Sequence, residues 1–199
     1  MSSAVNNPLA SADRSWSLPY KGYVGMLSLI LAESAIFSIF VVAYIFYIGK
    51  SLSGPTPREI LEIPVFATIC LLSSSATIHL AIAALKKSSL AAFRLWWFMT
   101  LALGTIFILA TAREWSHLIR DKGFTISTNL FGTTYYSLVG LHAFHVCVGL
   151  VGLLVILLLA LPGKVRQEHA HQVDTFAMYW HFVDAVWVVV FTVVYVVGR

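Results

Sequence analysis

The stretch Met178-Tyr-Trp-His-Phe-Val-Asp-Ala-Val-Trp187 decides the fold, because it places a histidine and a carboxylate in a segment otherwise suited to lipid. Residues 175–197 form an apolar run in which His181 is the only histidine and Asp184 the only carboxylate. About 20 apolar residues are enough to span the hydrocarbon core of a bilayer. Because they are three residues apart, the two side chains share one face of a helix. An ionisable pair is costly against acyl chains, so this face is predicted to contact protein.

The composition of the whole chain also indicates a membrane protein. Hydrophobic residues make up 59% of the 199 residues and charged residues 11%, with a mean hydropathy of +0.83, whereas soluble domains carry about 25% charged residues. The net charge of +4 comes from 13 basic residues that form no basic run, so no nucleic-acid partner is predicted. Cys70 and Cys147 lack a partner at a metal-ligand or redox spacing and are interpreted as core residues.

Five long apolar segments predict an all-α fold, an integral membrane bundle of five transmembrane helices. The predicted helices cover residues 22–49, 63–85, 90–117, 130–161 and 175–197. The preceding polar segment, 1–21, lacks the order of a cleavable signal peptide and is predicted to be flexible.

The distribution of basic residues favours a cytoplasmic N-terminus. With five spans, the N-terminal side holds seven basic residues and the opposite loops hold four, and such residues are more frequent on the cytoplasmic side. The seven are Arg14, Lys21, Lys86, Lys87, Arg94, Lys164 and Arg166, and the four are Lys50, Arg58, Arg120 and Lys122. Counting Arg113 and Arg199 on the far side reduces the bias to seven against six.

Polar side chains in the last two predicted spans allow two interpretations. His142 and His145, together with His181 and Asp184, could supply four metal ligands from two helices. The alternative, which we favour, is that each group hydrogen-bonds to a neighbouring helix and fixes the packing. A haem held by two histidines is a weaker possibility, because it needs two imidazoles facing each other with room for a porphyrin.

Two acids in other spans are also candidates for function. Glu33 lies roughly 15 Å into the first predicted helix, near mid-bilayer, and has no basic residue three or four positions away. It could serve as a proton relay or ion site, or as a neutral acid hydrogen-bonded to a histidine such as His145. Glu114 sits beside Arg113 at a helix end, where a local ion pair is the expected arrangement.

Several of these stretches resemble subunit III of the haem-copper respiratory oxidases. The order and spacing of the matching stretches agree with that family from about residue 25 to residue 198. The matching stretches are Tyr179-Trp-His-Phe-Val-Asp-Ala-Val-Trp187, Gly140-Leu-His-Ala-Phe-His-Val146, Ala32-Glu-Ser-Ala-Ile-Phe37, Arg113-Glu-Trp115 with Gly123-Phe-Thr-Ile126, and Leu61-Glu-Ile-Pro64. The longer family members carry two more helices before the acid-bearing one, so this chain is similar to the short, five-helix bacterial form.

The resemblance implies a non-catalytic core subunit of a proton-pumping terminal oxidase in the bacterial inner membrane, with cytochrome c or a quinol as electron donor. In that family the haems and copper belong to subunits I and II, so no cofactor is expected on this chain apart from bound phospholipid. The expected partners are subunit I, subunit II and a small subunit IV. Glu33 corresponds to the family's buried acid, with a proton-linked or lipid-linked role. The residues expected to make polar packing contacts are His142, His145, His181, Asp184, Glu114, Arg113 and Trp180.

Two other functions are compatible with the same residues. One is the subunit-III-like protein that accompanies nitric oxide reductases, which shares the fold. The other is a small proton-coupled transporter with Glu33 as the proton carrier.

Overall fold

The computed structural model describes residues 21–51 and 54–198, and these form a bundle of long helices. Five helices are long and apolar enough to cross a membrane, and the described residues contain no strand. The long helices are α1 (Lys21–Tyr47), α3 (Val65–Lys86), α4 (Leu90–Arg120), α5 (Leu130–Ala160) and α6 (Ala170–Phe191), the last continuing as a π-helical turn (Thr192–Val197). A short helix α2 (Pro57–Ile60) precedes α3, and a 3-10 turn (Gln167–His169) precedes α6. The predicted all-α, five-span membrane fold is therefore confirmed.

The helix bounds differ from the predicted ones mainly where helices continue past the apolar segment. α6 begins at Ala170 rather than 175, and α4 continues to Arg120 rather than 117. Hydropathy marks only the part of a helix that matches lipid, while backbone hydrogen bonding continues into polar residues such as Asp174. The predicted flexible segment 1–21 lies outside the described residues except for Lys21, which is helical.

Local sequence explains where α5 begins and ends. Asn129 precedes it with an extended backbone, and its side chain accepts a hydrogen bond from the Gly132 amide at 2.8 Å, which satisfies one of the free amides at a helix start. At the other end Gly163 adopts a φ of +76°, the left-handed conformation that commonly terminates helices. The apolar run is thereby separated from the polar connection to α6.

Helices α5 and α6 together form the centre of the bundle. Helix α6 packs against α1, α3 and α5, helix α5 packs against α1, α4 and α6, and α4 also packs against α3. The Trp180 indole is fully buried in the middle of this arrangement. A Cβ on Gly149 would lie 2.7 Å from the Trp180 ring, and one on Gly104 would lie 2.8 Å from it. These glycines therefore make room for an aromatic ring.

Candidate functional site

The acid in α1 contacts a histidine in α5. Glu33 Oε2 lies 3.1 Å from His145 Nε2, and the two side chains are 22% and 8% exposed. The other ring nitrogen, His145 Nδ1, lies 2.8 Å from the carbonyl oxygen of Leu141. A carbonyl can only accept, so Nδ1 carries a proton. The contact between Nε2 and the carboxyl group then shares one further proton, giving either a neutral acid with a neutral imidazole or a carboxylate with an imidazolium.

The surroundings of this pair are largely aromatic. The Phe37 ring packs against the imidazole of His145 with ring centroids 4.9 Å apart, and Phe37 is itself buried. The Tyr179 hydroxyl donates to the backbone carbonyl of His145 at 3.1 Å. The histidine is thus fixed from α1 and α6 as well as from its own helix, whereas Glu33 keeps a partly open edge.

A groove of about 400 Å³ lies between α1 and α6, on the side of Phe37. Its walls are mainly apolar, with two serines as the polar exceptions. The lining residues are Ser34, Phe37, Ser38, Val41, Val42, Phe182, Ala185, Val186 and Val189. Its shape and chemistry suit an acyl chain better than a polar solute.

The pair in the last span is joined through a third residue, Ser75 of α3. The Ser75 hydroxyl donates a hydrogen bond to the Asp184 carboxylate, and its oxygen lies 3.0 Å from His181 Nδ1. Because the hydroxyl proton is engaged by the carboxylate, the oxygen accepts from the imidazole. Sequence reasoning placed His181 and Asp184 on one face but missed Ser75. The run Ser73-Ser74-Ser75 within an apolar helix was the available indication.

Indole groups provide the other polar links between helices. Trp180 Nε1 donates to the Ser74 hydroxyl at 2.8 Å, which ties α6 to α3. Trp187 Nε1 donates to the Thr68 hydroxyl at 3.1 Å and ties the same two helices together a second time. Two hydroxyl groups of α3 therefore accept hydrogen bonds from indole groups of α6.

His142 is enclosed by aromatic rings. It is fully buried, stacks on Trp187 with centroids 5.0 Å apart, and meets the edge of Phe107 at 5.8 Å. Neither ring nitrogen has a hydrogen-bond partner among the described residues. The predicted polar packing contact of His142 is therefore an aromatic one.

The four candidate metal ligands lie in three separate environments. His145 faces Glu33, His142 faces tryptophan and phenylalanine rings, and His181 and Asp184 share Ser75. Within 21–51 and 54–198, no three His, Cys, Asp or Glu side chains are grouped so that they could hold a metal. The four side chains therefore do not converge on one metal site, and their contacts favour the packing interpretation.

Glu114 binds tyrosines rather than its neighbour. Its Oε1 accepts from the Tyr195 hydroxyl at 3.2 Å and from the Tyr135 hydroxyl at 3.4 Å. Arg113 is exposed and forms no ion pair with any residue the structure describes. The expected Arg113–Glu114 ion pair is wrong, because adjacent helical residues point in different directions. Sequence reasoning missed both tyrosines.

Comparisons with known proteins agree with this geometry. The family described as cytochrome c oxidase subunit III matches residues 20–199. The chain is 34% identical over 178 residues to a cytochrome c oxidase subunit 3 of Alkalihalophilus pseudofirmus, covering 88% of this chain and 86% of that one. It is 37% identical over 175 residues to the protein of the same name from Synechocystis sp., covering 86% and 73%. It is 31% identical over 171 residues to a cytochrome bo(3) ubiquinol oxidase subunit 3 of Pseudomonas aeruginosa, covering 85% and 81%.

The match extends over nearly the whole chain and includes all five membrane helices. The resemblance read from the sequence is thereby confirmed, and so is the assignment to a multi-pass membrane subunit of an oxidase complex. This chain belongs to the cytochrome c oxidase subunit III family.

Proposed function

We propose that this chain acts as a non-catalytic subunit III that stabilises subunit I of a proton-pumping terminal oxidase, binds phospholipid and supports proton uptake. In this proposal subunit II and a small subunit IV are further partners, the complex lies in a bacterial inner membrane, and the N-terminus of this chain is cytoplasmic. The haems and copper of such a complex are held by the partner subunits, which carry out electron transfer and oxygen reduction.

The observation that carries the proposal is the contact between Glu33 and His145. Asp184 is buried and engaged in a contact between α6 and α3. Glu33 differs because 22% of its side chain is exposed at the edge of the bundle. A carboxyl group that shares a proton with an imidazole, and that can be reached from outside, can accept and return protons without any cofactor on this chain.

The groove between α1 and α6 supports the lipid part of the proposal. Its apolar walls and its volume of about 400 Å³ match an acyl chain. The groove shares Phe37 with the environment of His145. Occupation of the groove would therefore hold the α1 segment that carries Glu33 against α5 and α6.

Identification of the proteins and activities that accompany this chain tests the proposed function. The full-length chain with an affinity tag is extracted in mild detergent, and its partners are identified by mass spectrometry while oxygen uptake and nitric oxide uptake are measured. We expect haem-bearing oxidase subunits together with oxygen uptake. Nitric oxide uptake with its own haem-bearing partners, or an isolated chain that moves protons in vesicles, would replace the proposal with one of the two alternatives.

A further inference from the structure

Hydroxyl groups on the outer surface of the membrane helices are mostly compatible with lipid. Ser28 donates to the backbone carbonyl of Val24 at 3.0 Å, and Ser38 donates to that of Ser34 at 2.7 Å. Thr105 of α4 is bonded in the same way within its own helix. Such a hydroxyl needs no partner from outside, because the carbonyl four residues earlier satisfies its donor.

His79 of α3 does not follow this pattern. Its side chain is exposed, and it forms no hydrogen bond or ion pair with any residue in the described ranges. It lies seven residues before Lys86, the last residue of α3, which places it about 10 Å from that helix end at about 1.5 Å per residue. An imidazole at that depth is below the headgroups, and acyl chains can neither donate to it nor accept from it.

His79 belongs to a small polar patch formed by α3 and α6. It lies four residues after Ser75, so both share one face of α3, and the half-buried His181 is hydrogen-bonded to Ser75. We call Ser75, His79 and His181 the α3/α6 patch. Behind it lies the buried Asp184 carboxylate, one oxygen of which accepts from Ser75, whereas the imidazole of His79 faces outward.

The outer faces of the other helices are different. The exposed residues of α5 include Phe144, Val151 and Leu158, and those of α4 include Leu95 and Leu109. Such faces are suited to acyl chains. Imidazole groups exposed at bilayer depth are instead expected to face protein.

We propose that the α3/α6 patch is the surface through which this chain docks onto a transmembrane helix of another subunit of the oxidase complex. That helix presents a hydrogen-bonding oxygen of a carboxyl, carboxamide or hydroxyl group at the level of His79. The inference rests on the proposed function, since it requires a complex. A second copy of this chain is the alternative occupant, and a crosslink from position 76 to another copy of this chain would overturn the proposal.

A site-specific photocrosslinker tests the surface in the intact complex. Ala76 is exposed on α3 one turn before His79, and Val151 is exposed on the apolar face of α5, so each is replaced in turn by p-benzoylphenylalanine. Retention of haem-bearing subunits is measured before irradiation, which tests membership of a complex separately from the docking surface. We expect the Ala76 variant to give an adduct with a transmembrane peptide of another oxidase subunit. An intact complex in which that variant gives only lipid adducts, or in which only the Val151 variant reaches a subunit, overturns the proposal.

Substitutions at His79 test the chemistry of the contact. His79→Leu should make the complex lose its haem-bearing subunits about three to ten times faster in mild detergent, as expected for one hydrogen bond between membrane helices. His79→Gln keeps a donor and an acceptor and should restore most of the retention. Leu80→Ala, at an exposed apolar neighbour, is the matched control and should lose subunits at the unmodified rate. Equal retention by the His79→Leu and His79→Gln variants would contradict the hydrogen-bonding role.

Discussion

The Glu33–His145 pair and the Asp184–His181 pair each associate a carboxyl group with an imidazole, but they differ in position. In α1, Glu33 meets His145 directly at the edge of the bundle, with part of the carboxyl side chain exposed. In α6, Asp184 is buried and is joined to His181 only through Ser75. α6 has buried residues from its first turn to its last, whereas the buried residues of α1 are only Phe37 and Tyr44. The same two functional groups are thus enclosed between helices at the centre of the bundle and partly exposed at its edge.

The largest effect is expected where α6 fills the centre. Trp180→Ala would leave a cavity facing Gly104 and Gly149 and remove the hydrogen bond to Ser74. We expect a loss of about 3–5 kcal/mol in the free energy of unfolding, measured in mixed micelles. Phe144→Ala, at a side chain 63% exposed, is the control and should have little effect. Equal free energies of unfolding for the two variants would contradict the expectation that Trp180 stabilises the bundle more than an exposed aromatic residue does.

Removal of the bridge between His181 and Asp184 should have the next largest effect. Ser75→Ala leaves the buried Asp184 carboxylate without its hydroxyl donor, and the expected cost is about 1–3 kcal/mol in the free energy of unfolding. Ser73→Ala changes an exposed serine of the same helix and provides the matched control. A Ser75→Ala variant as stable as the control would show that the two side chains do not depend on the bridge.

At the edge of the bundle we expect an effect on function rather than on stability. Glu33→Gln keeps a hydrogen-bonding group near His145 but cannot share a proton, so the free energy of unfolding should change by less than about 1 kcal/mol. Assembly should be nearly intact, while oxygen uptake by the purified complex decays faster during turnover or proton uptake slows. Ser28→Ala, also in α1 but outside the groove, should leave both unchanged. Unchanged turnover and lifetime of the Glu33→Gln complex would contradict a functional role for the Glu33–His145 contact.

The smallest effect is expected at Arg113. Because this residue has no ion-pair partner among the described residues and points outward, Arg113→Ala should change the free energy of unfolding by less than about 0.5 kcal/mol. Glu114→Ala should cost more, since it leaves the Tyr135 and Tyr195 hydroxyls without their acceptor. The free energies of unfolding of the two variants are measured under the same conditions. A larger decrease for Arg113→Ala than for Glu114→Ala would favour the local ion pair between Arg113 and Glu114.

The sequence was sufficient for the architecture because lipid imposes strict limits on length and composition. Five apolar segments predicted five helices, and each lies where an apolar segment does. The helix ends were less accurate, because polar turns such as the first turn of α6 continue the hydrogen bonding beyond the lipid-compatible part.

The polar contacts were predictable only in part. His145 was among the histidines considered as a partner of Glu33, because a buried acid without a basic neighbour in its own helix needs one from another helix. Ser75 as a bridge, and Tyr135 and Tyr195 as donors to Glu114, could not be inferred, because hydroxyl residues are common in membrane helices. Their roles depend on helix rotation, which a single sequence does not specify.

The hydrogen bond between His145 and its own helix determines how protons can travel. Because Nδ1 is occupied by the Leu141 carbonyl, the imidazole has no second acceptor to which it could pass a proton onward. A proton that arrives through Glu33 must also depart through Glu33. Under the proposed proton-linked role of Glu33, the pair would store a proton and return it through the same carboxyl group, and would not be one step of a proton path across the subunit.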